Sequence, residues 1–151
     1  MADKLQFELV SPEKLLLSEP VGMVVVPGAE GNFGVLPGHA LLISTVRPGV
    51  IDVYEDRTVT ERIFVSGGFA EVTPERCTVL ADEAVPLSSL DRAAADADAK
   101  TFEGRVATLK DQLGRASGPE RDTVALELRI AERKLAVATA KLAALGSMAG
   151  H

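Results

Sequence analysis

The chain has 151 residues, 46% hydrophobic and 25% charged, with a formal net charge of −6, so it can bury a real core and is too apolar for a disordered protein. One cysteine excludes an internal disulfide framework and a cysteine-based zinc cluster, and two histidines, one of them terminal, leave little for metal or general-base chemistry. The acidic balance argues against a nucleic-acid surface, no apolar run approaches the roughly 18 residues a membrane span needs, and Met1-Ala2-Asp3-Lys4 carries no export pattern.

Composition changes near residue 88. Every proline except Pro119 and every aromatic except Phe102 lies before it, and alanine-rich stretches follow. This predicts an α+β protein by segment: an N-terminal antiparallel β-sandwich or barrel over 1–87, an antiparallel α-helical hairpin over 88–146, and a flexible tail over 147–151.

In the first segment the hydrophobic period is two. Leu5, Phe7 and Leu9 alternate with Gln6 and Glu8, as a strand with one buried face requires. Further strands are predicted over 21–26, 41–46, 50–54, 58–65, 69–73 and 76–81, each short and bounded by Pro, Gly or Asp. Gly67-Gly68 fits a tight turn or bulge. Short strands at this spacing with no helical pattern between them indicate a sandwich or barrel. Cys77 shares its parity with Val79 and Ala81 and reads as a small core residue.

In the second segment the period is helical. Ala95, Ala99, Phe102, Val106, Leu109 and Leu113 form one stripe, and Val124, Leu128, Ala131, Leu135, Ala138, Leu142 and Leu145 another. Ser88 with Asp91, and Ser117 with Glu120, have the spacing of N-terminal capping pairs. Gly114 to Pro119 supplies a stop and a restart, short enough for antiparallel helices. Each stripe either packs on its neighbours within the chain or binds a partner helix. An alanine-rich seam buries little apolar area and makes an exchange of partners inexpensive.

Catalytic constellations fail on inspection. Gly28-Ala29-Glu30-Gly31-Asn32-Phe33-Gly34 lacks the glycine spacing and the following helix of a phosphate loop, and reads as a turn between strands. His39 has no second internal histidine or cysteine cluster to complete a transition-metal site. Ser66 lies outside any nucleophile elbow, and a strand would point Asp82 and Glu83 to opposite faces. Arg129 and Arg133, four apart with Lys134 and Lys141 nearby, form either a solvated helix flank or a docking edge for an acidic partner.

The run Val24-Val25-Val26-Pro27-Gly28-Ala29-Glu30-Gly31-Asn32-Phe33-Gly34-Val35-Leu36-Pro37-Gly38-His39-Ala40 resembles the signature of the F-type ATP synthase epsilon subunit family. Arg47 to Val50, Phe64 to Val72 and Val79 to Ala84 agree with it in order. The resemblance spans essentially the whole chain. It implies a sandwich of about ten strands and a helical pair, and a non-catalytic rotor subunit without a cofactor. It further implies binding to the gamma subunit in the central stalk and contact with the membrane ring of c subunits during proton-driven ATP synthesis. Ala29, Glu30, Gly31, Asn32 and His39 match the loops that face that ring. The family's hairpin folds against the sandwich or extends along gamma to block rotation, and in the extended state Arg129, Arg133, Lys134 and Lys141 would approach an acidic segment of the beta subunits.

Some relatives in that family bind ATP through a Leu/Ile-Asp-x-x-Arg-Ala motif. Leu90 and Asp91 fit it, but Ala94 stands where the arginine belongs, so weak or no ATP binding is expected. Leu41 stands where the family tends to have proline, which a strand tolerates. The resemblance implies a peripheral location on the cytoplasmic face of a bacterial inner membrane. A small β-barrel metalloenzyme built on His39 and a free-standing helix-binding module are the competing classes.

Charge divides with the composition. Residues 1–90 hold 6 Lys/Arg against 13 Asp/Glu, whereas 91–151 hold 10 against 9. The acidity belongs to the first segment.

Overall fold

The computed structural model describes residues 4–149, which fall into two compact units divided between Ser89 and Leu90. The first holds ten strands: β1 (Leu5–Val10), β2 (Leu15–Val21), β3 (Met23–Gly28), β4 (Gly31–Val35), β5 (Leu42–Val46), β6 (Gly49–Glu55), β7 (Thr58–Val65), β8 (Gly68–Val72), β9 (Arg76–Ala81) and β10 (Ala84–Pro86). The second holds α1 (Arg92–Arg115) and α2 (Gly118–Ala149).

The strands form one hydrogen-bonded path, β10-β7-β6-β3-β5-β8-β9-β1-β2, with β4 added to β3. Between β3 and β5 the path narrows to a single pairing, Gly28 with Val46. The sheet folds over at that corner into two layers, β4-β3-β6-β7-β10 and β5-β8-β9-β1-β2. Alternation decides what lies between them. Leu5, Phe7, Val24, Val26, Val35, Ile51, Val53, Val72, Cys77 and Val79 are all within 1% of complete burial and share one core cluster. The inward positions thus bury their side chains wherever the pleat repeats with period two.

Several local outcomes differ from the sequence expectations, each for a physical reason. β1 pairs β9 in parallel, so the sheet is not wholly antiparallel; alternation reports which face is buried and not the chain direction of a neighbour. β2 was not anticipated, because Leu15-Leu16-Leu17 does not alternate and Pro20 cannot donate to a ladder. Its terminal place in the path accommodates that proline. β4 occupies most of the segment read as a glycine-rich turn, and the true turn is only Ala29-Glu30. The pair Asp82-Glu83 lies in the connection between β9 and β10 rather than on a strand.

Leu87–Ser89 form a 3-10 turn, which takes Ser88 out of the capping position. Asp91 is the N-cap of α1: its Oδ1 accepts a hydrogen bond from the Ala94 amide at 3.2 Å. At the other end of the hairpin the Ser117 carbonyl accepts from the Arg121 amide, and the Arg121 guanidinium donates to the Leu113 carbonyl at the end of α1. The two helices share a core of Val106, Leu109, Val124, Leu128 and Ala131, with Leu113 and Leu135 at its margin. Arg105 and Glu127 join the helices through an exposed ion pair of 2.9 Å. Helix α2 runs through Ala149, beyond the start of the tail expected at 147, and residues 150–151 lie outside the described residues.

Gly68 shows how tightly β8 and β9 are drawn together. Its φ is +145°, and a Cβ added there would lie 1.9 Å from the Leu80 carbonyl oxygen. A G68A substitution should part β8 from β9 at that end and cost about 3 kcal/mol or more, measurable as a lowered denaturation midpoint. Burial pushes the Cys77 thiol up to about 12. At pH 8 the folded chain should therefore resist thiol reagents that modify it rapidly once denaturant unfolds it, and rapid modification of the folded protein would contradict this core placement.

Candidate functional site

Three surfaces bring together residues singled out from sequence, or missed by it. The first is the β3–β4 hairpin. Gly28 pairs with Gly31 across the two-residue turn, and Asn32 pairs with Pro27. A side chain at Gly28 would collide with the Gly31 carbonyl at 2.8 Å and the Phe33 ring at 2.9 Å, so only glycine lets the ring close over the strand. Ala29, Glu30, Gly31 and Asn32 are exposed at the tip. The tip is nevertheless anchored. The Ala29 amide donates to the Thr45 carbonyl at 3.0 Å, and the Arg47 amide donates to the Pro27 carbonyl at 2.9 Å. The Arg47 guanidinium donates to the Gly28 carbonyl and, at 2.6 Å, to Asn32 Oδ1. Arg47 thus holds a projecting loop in one shape, a role invisible in its sequence context.

His39 closes a neighbouring turn. Its amide donates to the Leu36 carbonyl at 3.1 Å, with Pro37 and then Gly38 (φ +87°) at the central positions, the residue types a type II turn requires. The Gly38 amide donates to the Pro74 carbonyl at 2.7 Å, and His39 Nδ1 lies 2.7 Å from the Ala40 carbonyl. Leu36 and Leu41 flank it, both exposed. Among the described residues no group of three or more His, Cys, Asp or Glu side chains could hold a metal ion.

The second surface was not foreseen. On the outer face of the β5-β8-β9-β1 layer, Val10 pairs with Leu80, Leu80 with Phe69, and Phe69 with Thr45. Ile43 stands diagonally beside Phe69, one row over. Ile43 is 75% exposed, Phe69 58% and Leu80 47%, and together they line a shallow groove. The adjoining row, Ile43, Glu71, Thr78 and Glu8, is mostly polar, and Arg76 and Thr78 both bond Glu8 Oε1, at 3.1 and 3.3 Å. An apolar strip with a polar border is the anatomy of a protein-docking surface. The sequence signal existed in β9, where Leu80 is apolar at an outward position between inward Val79 and Ala81.

The third surface is the outer side of α2. Arg129 and Arg133 are exposed, and among the described residues neither forms an ion pair or hydrogen bond. Leu126 and Ile130 are about half exposed beside them. Lys134 lies with Nζ 5.6 Å from the centroid of the Phe102 ring, a cation–π contact within the hairpin. Lys141 is half-buried and has an interaction of its own. The four basic residues therefore separate: two are presented outward and two are engaged. Leu90 is half-buried, and the Asp91 carboxylate, the other residue of the degenerate ATP motif, serves as the helix cap.

Among the described residues no helix is long and apolar enough to cross a membrane. Residues 4–87 match the family described as ATP synthase, Delta/Epsilon chain, beta-sandwich domain. The ATP synthase epsilon chain of Rhodospirillum centenum is 54% identical, over 97% of this chain and 95% of its own length. That of Rhodospirillum rubrum is 52% identical, over 89% of this chain and 99% of its own length. A chain in the Euglena gracilis mitochondrial ATP synthase shares the fold, with a TM-score of 0.64 and 23% identity over 94% of this chain and 81% of that one. The chain belongs to the family of ATP synthase epsilon chains, and as such it is a non-catalytic subunit of its complex.

Proposed function

We propose that this chain is a rotor component of the central stalk, joining the gamma subunit to the membrane ring of c subunits and passing torque between them. The observation that carries the reading is the apolar strip Val10, Leu80, Phe69 and Ile43, a surface too apolar to suit solvent and bordered by polar groups. We assign it to gamma. The tip residues Ala29, Glu30, Gly31 and Asn32, with His39 in the neighbouring turn, are assigned to the polar loops of the c-ring. The arginine clamp supports that assignment, because a coupling contact must resist deformation and Arg47 fixes the projecting loop from two sides. On this reading the chain lies on the cytoplasmic face of a bacterial inner membrane, held there through its partners.

The hairpin is assigned a regulatory role, restraint of ATP hydrolysis when it extends along gamma. Arg129 and Arg133 would then meet the acidic segment of the beta subunits, a task for which two unpaired guanidinium groups are suited. Lys134 and Lys141 would first have to leave their present contacts. A purely structural hairpin is the second reading, favoured by its closed core and its Arg105–Glu127 link.

Two measurements test these assignments. Phe69→Asp leaves the core untouched and should weaken copurification with gamma by about 2 kcal/mol or more, tens of fold in affinity, whereas undiminished binding would remove the strip from the interface. Deleting residues 90–151 spares every residue of the sandwich core. ATP hydrolysis by the assembled enzyme should then rise several-fold with proton pumping retained, and unchanged hydrolysis would leave the structural reading of the hairpin.

A further inference from the structure

Read across its strands, the inner face of each layer is a set of rows. One runs Leu42, Val72, Cys77, Phe7 and ends in Glu19 on β2. Another, in the opposite layer, runs Val35, Val24, Val53 and ends in Glu61 on β7. Every other member of these rows is apolar, and Phe7, Cys77, Val24 and Val53 are fully buried. Two carboxyl groups thus occupy positions that the pleat assigns to the core. They stand at the same rim, where β2 comes against β6, close enough for the Glu19 carboxyl to act on that of Glu61. A bulge contributes to the meeting. Val53 pairs with Glu61 but Tyr54 pairs with Val59, leaving Thr60 as the extra residue, and such a bulge turns the strand and re-aims its side chains.

The charged groups around this pair are already committed. Lys4, just before β1, is paired with Glu55 of β6. Arg62 of β7 is paired at 2.8 Å with Asp52 of β6, both on the outer face. Strand β3 carries no ionisable side chain. Among the described residues no cation pairs with Glu19 or Glu61, and Glu61 Oε2 is buried with no hydrogen-bond donor reaching it. What a carboxylate oxygen facing another carboxylate lacks is a proton. Two ionised carboxyls in contact repel, whereas one shared proton converts the contact into an O–H···O bond.

We propose that Glu19 and Glu61 hold one proton between them and that this proton latches the rim of the sandwich, fastening β2 to β7 and releasing it as pH rises. The hydrogen bond to Glu19, partial burial and the neighbouring charge push the Glu61 carboxyl from 4.5 up to about 7. The proton belongs to the pair rather than to either residue. In the unfolded chain Glu61 loses its proton near 4.5, while in the folded chain it keeps it to about 7. The latch therefore stabilises the fold in full below pH 4.5, progressively less as pH rises from there, and not at all well above 7. This dependence is the opposite of that of a salt-bridged carboxylate, which loses its contribution on acidification.

The test is a titration of the glutamate side-chain carboxyl carbons by NMR in the full-length protein, with melting curves between pH 4 and about 8.5. The Glu61 carboxyl should titrate with a midpoint near 7 in the wild type, and clearly lower in E19Q, where an amide donor replaces the shared proton and only partial burial still raises it. The melting temperature of E61Q should lack the decline that the wild type shows between pH 4.5 and about 7. A wild-type Glu61 midpoint near 4.5 overturns the proposal, as does a pH profile of stability that E61Q leaves unchanged. If E61Q does not fold, the wild-type and E19Q titrations decide the matter alone.

Discussion

The pairing of Gly28 with Val46 is the constraint on which the sandwich depends. A ten-strand sheet that stayed open would expose one entire apolar face; reduction of the ladder to one pair between β3 and β5 lets it fold over and bring its own two halves together. The same corner determines what surrounds it. Arg47 follows directly after Val46 and so lies within reach of the Gly28 carbonyl and Asn32, which is why the most projecting loop is also a well-anchored one. At the far side of the fold β2 comes against β6, and there one inward position on β2 and one on β7 are glutamates, at a rim where both carboxyls are only half-buried.

The helical unit is built on a different balance. Its core uses Leu109 and Leu128 at the centre but Ala95, Ala99, Ala131 and Ala138 along the rest of the seam, so each turn buries little area. Long helices compensate by repetition, and exposed ion pairs such as Arg105–Glu127 add about 1 kcal/mol at most. In the sandwich, by contrast, most of the burial is concentrated in Phe7, Ile51 and the valine rows. A unit held by many small increments can exchange contacts piecemeal, whereas one held by interlocked rows moves as a block. The two halves of this chain are thus suited to different mechanical tasks.

Period alone made the two-module plan legible, together with β1, β7, β9 and both helical stripes, since Leu5/Phe7/Leu9 and Val106/Leu109/Leu113 have no other economical packing. What escaped was set by relations between distant residues. Alternation in β1 cannot disclose that its neighbour β9 runs parallel. Pro20 disguised β2, and capping at Asp91 instead of Ser88 depended on a 3-10 turn with no clear sequence mark. The tip residues 29–32 were found through a long local motif, but Arg47 acts on them from fifteen residues or more away. The apolar strip is assembled from β1, β5, β8 and β9, each contributing a residue that singly resembles an ordinary exposed aliphatic. Division of the basic cluster into presented arginines and engaged lysines likewise required Phe102 to be placed under Lys134.

The prolines at the two ends of the strand path bear on how such a subunit survives before assembly. Pro20 lies in β2 and Pro86 in β10, the terminal strands of the path. The Gln6 amide is spent on Glu75, so its opposite number Pro20 directs its ring nitrogen outward, where an ordinary residue would offer an N–H to any passing strand. A newly made copy awaiting its partners carries an adhesive strip of side chains but incomplete backbone templates at its termini. Contacts between orphan copies can then be side-chain encounters that dissolve again, and the ordered strand-by-strand growth that leads to fibrils is interrupted at its first step.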